Sequence, residues 1–252
     1  MAKSLKSPKL TAAAVKREVA ALADPEKAKF LQRFFRTGAG EYAEGDQLLG
    51  LTVPDQRVVA KAFRELPLAE LEKLLASKFH EHRLIGLIIL CDQHARATEE
   101  AKRLEWCRFY LEHLEGVNNW DLVDASAAEM VGTHLNGKRK MLEGLVASPV
   151  MWHRRIAIVS TFAELRAGRT ALTFWVAERP ACGQAGPDSQ GCRVAAARGG
   201  KAIARRTPRF SAETLCTATA NHVAIRDRAA GCIGQEAMAE RPLLTVFLPD
   251  MQ

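Results

Sequence analysis

The feature that most constrains the fold is a long succession of amphipathic segments in the first 179 residues. Apolar residues recur there at spacings of three and four, which is the period of one face of an α-helix. Sequences typical of β-strands are nearly absent. Ten helices are predicted, over 11–22, 25–35, 54–63, 68–77, 81–95, 99–114, 120–135, 138–147, 150–167 and 170–179. The sequence therefore predicts an all-α fold.

Most links between the predicted helices are short, so neighbouring helices are expected to run antiparallel as pairs. Pro25 and Pro54 suit the first turn of a helix, and Asn119 can cap the helix that begins at Trp120. The pairs recur about every 35 to 45 residues, a period typical of stacked helical repeats. We therefore expect residues 1–179 to form a HEAT-like repeat α-solenoid, although the residues themselves do not repeat clearly.

One longer link joins the second and third predicted helices, from Arg36 to Thr52. Its glycines do not match a dinucleotide-binding fingerprint or a P-loop. Two interpretations stay open for this link. It is either a shaped surface loop that faces a ligand or a plain connector between helices.

After Arg179 the composition changes abruptly, and helical periodicity disappears. Residues 180–252 hold four of the six cysteines and five of the ten prolines, with only two aromatic residues. Their basic, alanine- and glycine-rich run over 191–210 is either a nucleic-acid-binding arm or sequence that does not fold. We therefore divide the chain into a helical repeat domain over 1–179 and an irregular tail of low order over 180–252.

Charge and composition narrow the partners of the chain. A formal net charge of +7 favours a polyanionic partner, although many basic proteins bind no nucleic acid. The longest apolar run, 84–91, is far shorter than the roughly 20 residues that span a membrane, so no membrane partner is expected. The six cysteines form no CxxC pair, and we expect free thiols, no metal and no cofactor. The N-terminus lacks the apolar core of a secretory signal, so a cytoplasmic location is expected. The chain is also expected to be a monomer.

Two stretches place a tryptophan near a charged residue on one helical face. In VNNWDLVD, residues 117–124, Asp124 lies four residues after Trp120, whereas Asp121 points to another side and favours the helix dipole. In the stretch from Met151, Arg155 lies three residues after Trp152. From spacing alone, a structural interpretation fits well: both tryptophans lie in the core, and Asp124 and Arg155 form an ion pair between helices.

Three motifs in this order and at these separations carry a resemblance to a known family. They are TGAGEYAEGDQLLGLTVPDQR, VNNWDLVD and WHRRIAIVSTF, and the similarity extends over about 30–179. The chain resembles the DNA alkylation repair family of the AlkD type. The resemblance implies a HEAT-repeat solenoid whose basic concave surface holds duplex DNA. It also implies base excision by a monofunctional glycosylase, a hydrolase that releases N3- and N7-alkylated purines without a base-flipping pocket.

The resemblance also assigns roles to residues by their position in the motifs. The catalytic tryptophan of the family falls on Trp120, its catalytic aspartate on Asp124 and its active-site arginine on Arg155. Tyr42 falls in the segment that helps to shape the cleft at the lesion. Further contacts with the DNA backbone are expected from cations that follow these motifs or lie within them, namely Lys138, Arg139, Lys140, Arg154, Arg166 and Arg169. The alternative is a HEAT-like module that binds DNA or protein without catalysis.

The resemblance ends at the tail, where family members continue with further helices and another DNA-facing tryptophan. Read one base out of register, the codons after Ser189 permit such a segment, and the junction of Val194 with Ala195 permits its tryptophan. We therefore hypothesise that a single-base insertion near codon 180 replaced the last helical repeats. The end repeat of a solenoid covers the apolar face of the repeat before it, so this loss bears on both stability and activity.

Overall fold

A computed structural model describes residues 9–38 and 40–179, and it is helical over most of that range. The described part contains ten α-helices and no β-strand, so the all-α prediction is confirmed there. The helices are α1 (Ala12–Ala21), α2 (Pro25–Leu31), α3 (Val53–Ala62), α4 (Leu68–Leu75), α5 (His80–Arg96), α6 (Glu100–Glu112), α7 (Trp120–Met130), α8 (Lys140–Ala147), α9 (Met151–Arg166) and α10 (Ala171–Ala177). Short 3₁₀ turns follow α2, α6 and α7.

The helix starts have the expected local chemistry. Pro25 is the first residue of α2, and the Asp24 carboxylate accepts hydrogen bonds from two amides of the first turn, each at 3.1 Å. Pro54 is the second residue of α3, which Thr52 caps. A side-chain cap satisfies amides that lack a partner inside the helix. These local signals explain why the predicted starts lie within two residues of the observed ones.

The chain divides into two compact units, Met1–Ser126 and Ala127–Gln252. In the first unit α5 packs against α3, α4 and α6, and in the second unit α9 packs against α8 and α10. The links over 76–79 and 148–150 are short, and α4 packs against α5 just as α8 packs against α9. Each unit therefore contains a closely linked pair of helices, as expected of helical repeats.

Helix α7 ends at Met130, five residues before its predicted end. The backbone of Gly132 lies directly against the carbonyl oxygen of Ser160, so a Cβ at this position would overlap that oxygen. A 3₁₀ turn over Gly132–His134 replaces the last helical turn, and Asn136 and Gly137 then adopt positive φ angles of 45° and 76°. Close packing on α9 therefore shortens the helix, which residue spacing alone does not reveal.

Two further observations concern the limits of the described range. Within it, no helix is both long enough and apolar enough to cross a membrane. Cys107 is a buried free thiol and Cys91 forms no disulfide, whereas the other four cysteines lie outside the described residues. The tail over 180–252 and the hypothesis about its reading frame also lie outside them.

Candidate functional site

Helix α7 presents a tryptophan and a carboxylate together on its outer face. Leu122 and Val123 are fully buried, whereas the Trp120 side chain is 37% exposed and Asp124 is exposed. Residues four apart in a helix lie on the same face, one turn from each other. Trp120 is therefore not a core residue, contrary to the structural interpretation of its spacing. Since large aromatic side chains are usually buried, this pair marks a surface that can meet a ligand.

The indole ring of Trp120 lies on a second aromatic ring. Phe35, which follows the 3₁₀ turn after α2, stacks on it with ring centroids 5.7 Å apart and an angle of 15° between planes. Phe35 also contacts the His80 imidazole, with ring centroids 4.7 Å apart. The amide of Trp120 donates to the side-chain oxygen of Asn119 at 2.8 Å. Both the ring and the backbone of Trp120 are therefore held.

His80, the first residue of α5, is buried between two carboxylates. Its Nε2 lies 2.7 Å from Oδ2 of Asp121, and its Nδ1 lies 3.7 Å from Oδ2 of Asp46. Burial disfavours the imidazolium, but the two carboxylates outweigh it and raise the pKa of His80 to about 9. The ring is therefore a cation at neutral pH. Asp121 also accepts a hydrogen bond from the amide of Leu122 at 2.9 Å, which fits its predicted structural role in the first turn.

Arg83 joins this cluster to the loop over 36–52. Its guanidinium donates to Asp46 at 2.6 Å, to the Asn118 side chain at 3.2 Å and to the carbonyl of Ser77 at 2.7 Å. Burial alone would raise the pKa of Asp46, but its contacts with His80 and Arg83 hold that pKa below its usual range. Asp46, His80, Arg83 and Asp121 are named the charged cluster below. With His80 protonated, these four side chains carry no net charge.

The loop over 36–52 is fastened to α5 at several further points. Gln47 pairs with the chain before α5, accepting from the amide of His80 at 2.8 Å. The Glu81 carboxylate accepts hydrogen bonds from the amides of Leu49 and Gly50, both at 2.8 Å. Gly50 has a φ of +88° and lies so close to the backbone of Asp24 that no side chain fits. The loop is therefore closely packed on the first unit, and Tyr42 is half-buried within it.

In the second unit, α9 carries the other predicted pair. Trp152 and Arg155 are each only 5% exposed, so Trp152 is a core residue, as the structural interpretation expected. Arg154 uses one nitrogen to donate to the carbonyls of Ser148 and Pro149, at 3.0 and 2.8 Å. These bonds satisfy carbonyls at the end of α8, a structural task that leaves the predicted contact of Arg154 with DNA untested.

The remaining predicted cations differ in their surroundings. The Arg169 guanidinium forms two hydrogen bonds with the buried Glu164 carboxylate, at 2.7 and 2.8 Å. Arg166 is exposed and donates to a carbonyl of its own helix at 3.3 Å. Lys138 is exposed, and Arg139 is exposed with its guanidinium 5.7 Å from the Trp175 ring. Lys138, Arg139 and Lys140 together form an exposed basic segment before and at the start of α8. Within 9–38 and 40–179, no group of side chains suits a metal ion.

One arrangement occurs before both α5 and α9 and is called the serine–histidine turn. In residues 77–83 the Ser77 hydroxyl lies 2.8 Å from Nδ1 of His82, and in residues 148–154 the Ser148 hydroxyl lies 2.8 Å from Nδ1 of His153. In each turn the following arginine donates back to the serine carbonyl. The signal in the sequence is Ser-x-x-x-x-His-Arg, which occurs in both places. The spacing of apolar residues, from which the helices are predicted, does not reveal this repeat.

The comparisons with known proteins agree with this architecture. No curated protein matches the chain. A family model described as DNA alkylation repair enzyme matches residues 15–182, a span that includes all ten helices but the start of α1. This match covers about two thirds of the chain and contains both the Trp120–Asp124 pair and the charged cluster. On the strength of that match, the chain belongs to the DNA alkylation repair enzyme family.

Proposed function

We propose that the chain is a monofunctional DNA glycosylase that hydrolyses the N-glycosidic bond of N3- and N7-alkylated purines in duplex DNA. The observation that carries this proposal is the exposure of Trp120 together with Asp124 on one face of α7. A carboxylate beside an exposed indole can meet a ligand that is positively charged. Family membership supports a role in DNA repair. The Trp120–Asp124 pair supports the proposed hydrolysis.

An alkylated purine is a cation, so its bond to the deoxyribose is weak before any enzyme acts. As the bond breaks, its electron pair goes to the purine, which leaves as a neutral base, and positive charge develops at C1′ of the sugar. We propose that Asp124 stabilises this charge and orients the water that attacks C1′. The water loses a proton to the carboxylate or to solvent. No acid need protonate the leaving base, since the base already carries the charge that makes it leave.

The other residues bind and orient the DNA in this proposal. The Trp120 face attracts the cationic base or the charged sugar, an interaction typically of about 0.5 to 2 kcal/mol. The resemblance to the family assigns the binding of a DNA phosphate to Arg155, a task that suits a guanidinium because it presents two parallel donors. Lys138 and Arg139, exposed in the basic segment, contact further phosphates. Those contacts should make duplex binding fall steeply with salt.

The test compares the parent chain with Asp124→Asn in the release of N7-methylguanine from methylated duplex DNA at low salt. The variant keeps the size of the side chain and removes its charge, so we expect release to fall at least about a hundredfold. Binding to the same duplex should change little. Glu105→Gln removes an exposed carboxylate from α6 and is the matched control, which should release base at the parent rate.

The outcomes separate the proposal from its alternative. Release by the parent that depends on Asp124 supports the glycosylase. Duplex binding by the parent without release of base would instead indicate a non-catalytic DNA-binding module. Equal loss of binding and release in Asp124→Asn would identify a structural aspartate.

A further inference from the structure

The charged cluster contacts the stacked rings of Phe35 and Trp120 through His80. This member of the cluster is 2% exposed and contacts the ring of Phe35. Its hydrogen bond to Asp121 reaches the first turn of α7, and its contact with Phe35 reaches the ring on which Trp120 stacks. Two separate routes therefore connect one buried side chain to Trp120.

The orientation of His80 is fixed by one hydrogen bond and one ion-pair contact. Its Nε2 is hydrogen-bonded to Asp121 at 2.7 Å, whereas its Nδ1 lies 3.7 Å from Asp46, too far for a hydrogen bond but close enough for attraction between an imidazolium and a carboxylate. Asp46 is held in place by Arg83 and Asn118, and Asp121 is held by the amide of Leu122. Losing His80 would leave the buried Asp46 and the partly buried Asp121 with Arg83 as the remaining cation of the cluster, which is costly.

We infer that His80 is a positioning residue, which holds the Trp120 ring and the first turn of α7 through Phe35 and Asp121 and so fixes the direction in which Asp124 points. This inference rests on the proposed function. His80 touches no substrate in this account. Its contribution is to keep Trp120 and Asp124 in one arrangement, because a small displacement of a catalytic group can cost a large factor in rate.

The first experiment measures single-turnover release of N7-methylguanine by the full chain with His80→Leu or His80→Gln. Leucine fills space but donates no hydrogen bond, and we expect the rate to fall by a factor of between about ten and a hundred. Glutamine places an amide N–H near the position of Nε2, so it should restore most of the rate. Affinity for the duplex should stay close to that of the parent in both variants. The control is His113→Leu, a change to a half-buried histidine at the end of α6, which should leave the rate unchanged.

The second experiment measures the Trp120 ring itself and needs no excision. The emission of Trp120 is obtained by subtracting the spectrum of a Trp120→Phe variant made in each background, and its quenching by acrylamide is then compared. We expect stronger quenching in His80→Leu and parent-like quenching in His80→Gln. A lower melting temperature with unchanged quenching and unchanged release would overturn the inference and leave His80 a structural residue only.

If His80→Leu does not fold, the pH dependence of Trp120 quenching in the parent chain still tests the inference. The charged groups that face His80 are Asp46 in the loop, Arg83 on α5 and Asp121 on α7, and the pKa of His80 itself is raised to about 9. Quenching of Trp120 should therefore rise in the parent as the pH passes the pKa of His80, about 9, and stay flat in His80→Gln. A flat profile in the parent would contradict the inference. Because the quenching measurements do not use DNA, failure of the glycosylase proposal leaves them decisive.

Discussion

The serine–histidine turn before α5 and the one before α9 share their internal bonds but differ in what surrounds them. In the first unit the arginine of the turn also binds Asp46 and Asn118, whereas in the second unit Arg154 donates to the carbonyls of Ser148 and Pro149. The position of His80 in the first turn is occupied by Met151 in the second. In the first unit the turn therefore forms part of a charged cluster, because a loop and the start of α7 bring carboxylates to it.

The two serine–histidine turns share one set of bonds, and the first turn has the charged cluster in addition. The shared bonds fix how the chain turns into a buried helix in both units. The charged cluster contacts Phe35, the ring on which the exposed Trp120 stacks. Comparing matched substitutions in the two turns can therefore separate stability from function.

The largest difference is expected between Arg83→Met and Arg154→Met. Removing Arg83 leaves the buried Asp46 carboxylate without its closest cation, which should lower the free energy of unfolding by about 3 to 5 kcal/mol. Removing Arg154 costs two hydrogen bonds to carbonyls near the surface, about 1 to 2 kcal/mol in all. Urea denaturation at neutral pH measures both losses, and losses of equal size would show that the cluster adds nothing to the common turn.

The next effect is an alkaline loss of stability that depends on His80. Because its pKa is raised in the folded protein, its contribution is fully present below the unfolded value of about 6.5 and disappears as the pH rises through about 9. The shift corresponds to roughly 3 kcal/mol. Denaturation midpoints between pH 6 and 10 should fall in the parent and much less in His80→Gln. The Met151→Leu variant, altered at the matching position of the second turn, should follow the parent.

An effect of opposite sign is expected from the two turn histidines. Burial, followed by the charge of a neighbouring cation, lowers the pKa of His82 to about 4 and also lowers that of His153. A base with a depressed pKa must charge in the unfolded chain first, so stability is lost as the pH falls below about 6.5. Nε2 of His82 is buried with no hydrogen-bond partner among the described residues, which agrees with a neutral ring.

Thermal unfolding between pH 4 and 7 measures this loss of stability at low pH. His82→Asn and His153→Asn should each reduce the acid loss, since asparagine can keep a bond to the serine and does not titrate. For His82 the effect should be comparable in size to that of His80, because the two pKa values are shifted by similar amounts in opposite directions. An acid loss unchanged in both variants would assign it to other groups.

The smallest and most nearly equal effects are expected from Ser77→Ala and Ser148→Ala. Each hydroxyl contacts a histidine nitrogen and accepts from an amide two residues later, at 3.2 Å in the first turn and 3.1 Å in the second. Each substitution should cost about 1 to 2 kcal/mol. Differential scanning calorimetry of the two variants should give similar shifts, and a clearly larger loss in one turn would show that the two are not equivalent.

The sequence predicted all ten described helices because their determinants are local. Apolar spacing marks the buried face, and caps such as Asp24 mark the starts. It did not predict the end of α7, which depends on the approach of Gly132 to a distant carbonyl oxygen. The pairing of Trp120 with Asp124 followed from helical period, and the structure adds that both are exposed.

The charged cluster could not have been predicted in the same way. Asp46, His80 and Asp121 come from a loop and two helices, and no periodic pattern connects them. Phe35 was assigned to the second predicted helix, yet it lies after the 3₁₀ turn and stacks on Trp120. The predicted roles of Arg155 and Tyr42 toward DNA stay predictions.

The order in which the chain is synthesised gives the charged cluster a further consequence. The serine–histidine turn joins residues five apart, so it can form as soon as its own segment leaves the ribosome. The bond from Arg83 to Asp46 spans 37 residues, and the bond from His80 to Asp121 spans 41. Contacts between distant residues form late because a long loop must close first. A nascent chain that stops before Asp121 offers His80 the Asp46 carboxylate but not its hydrogen-bond partner, so the charged cluster is completed only after synthesis has passed the start of α7.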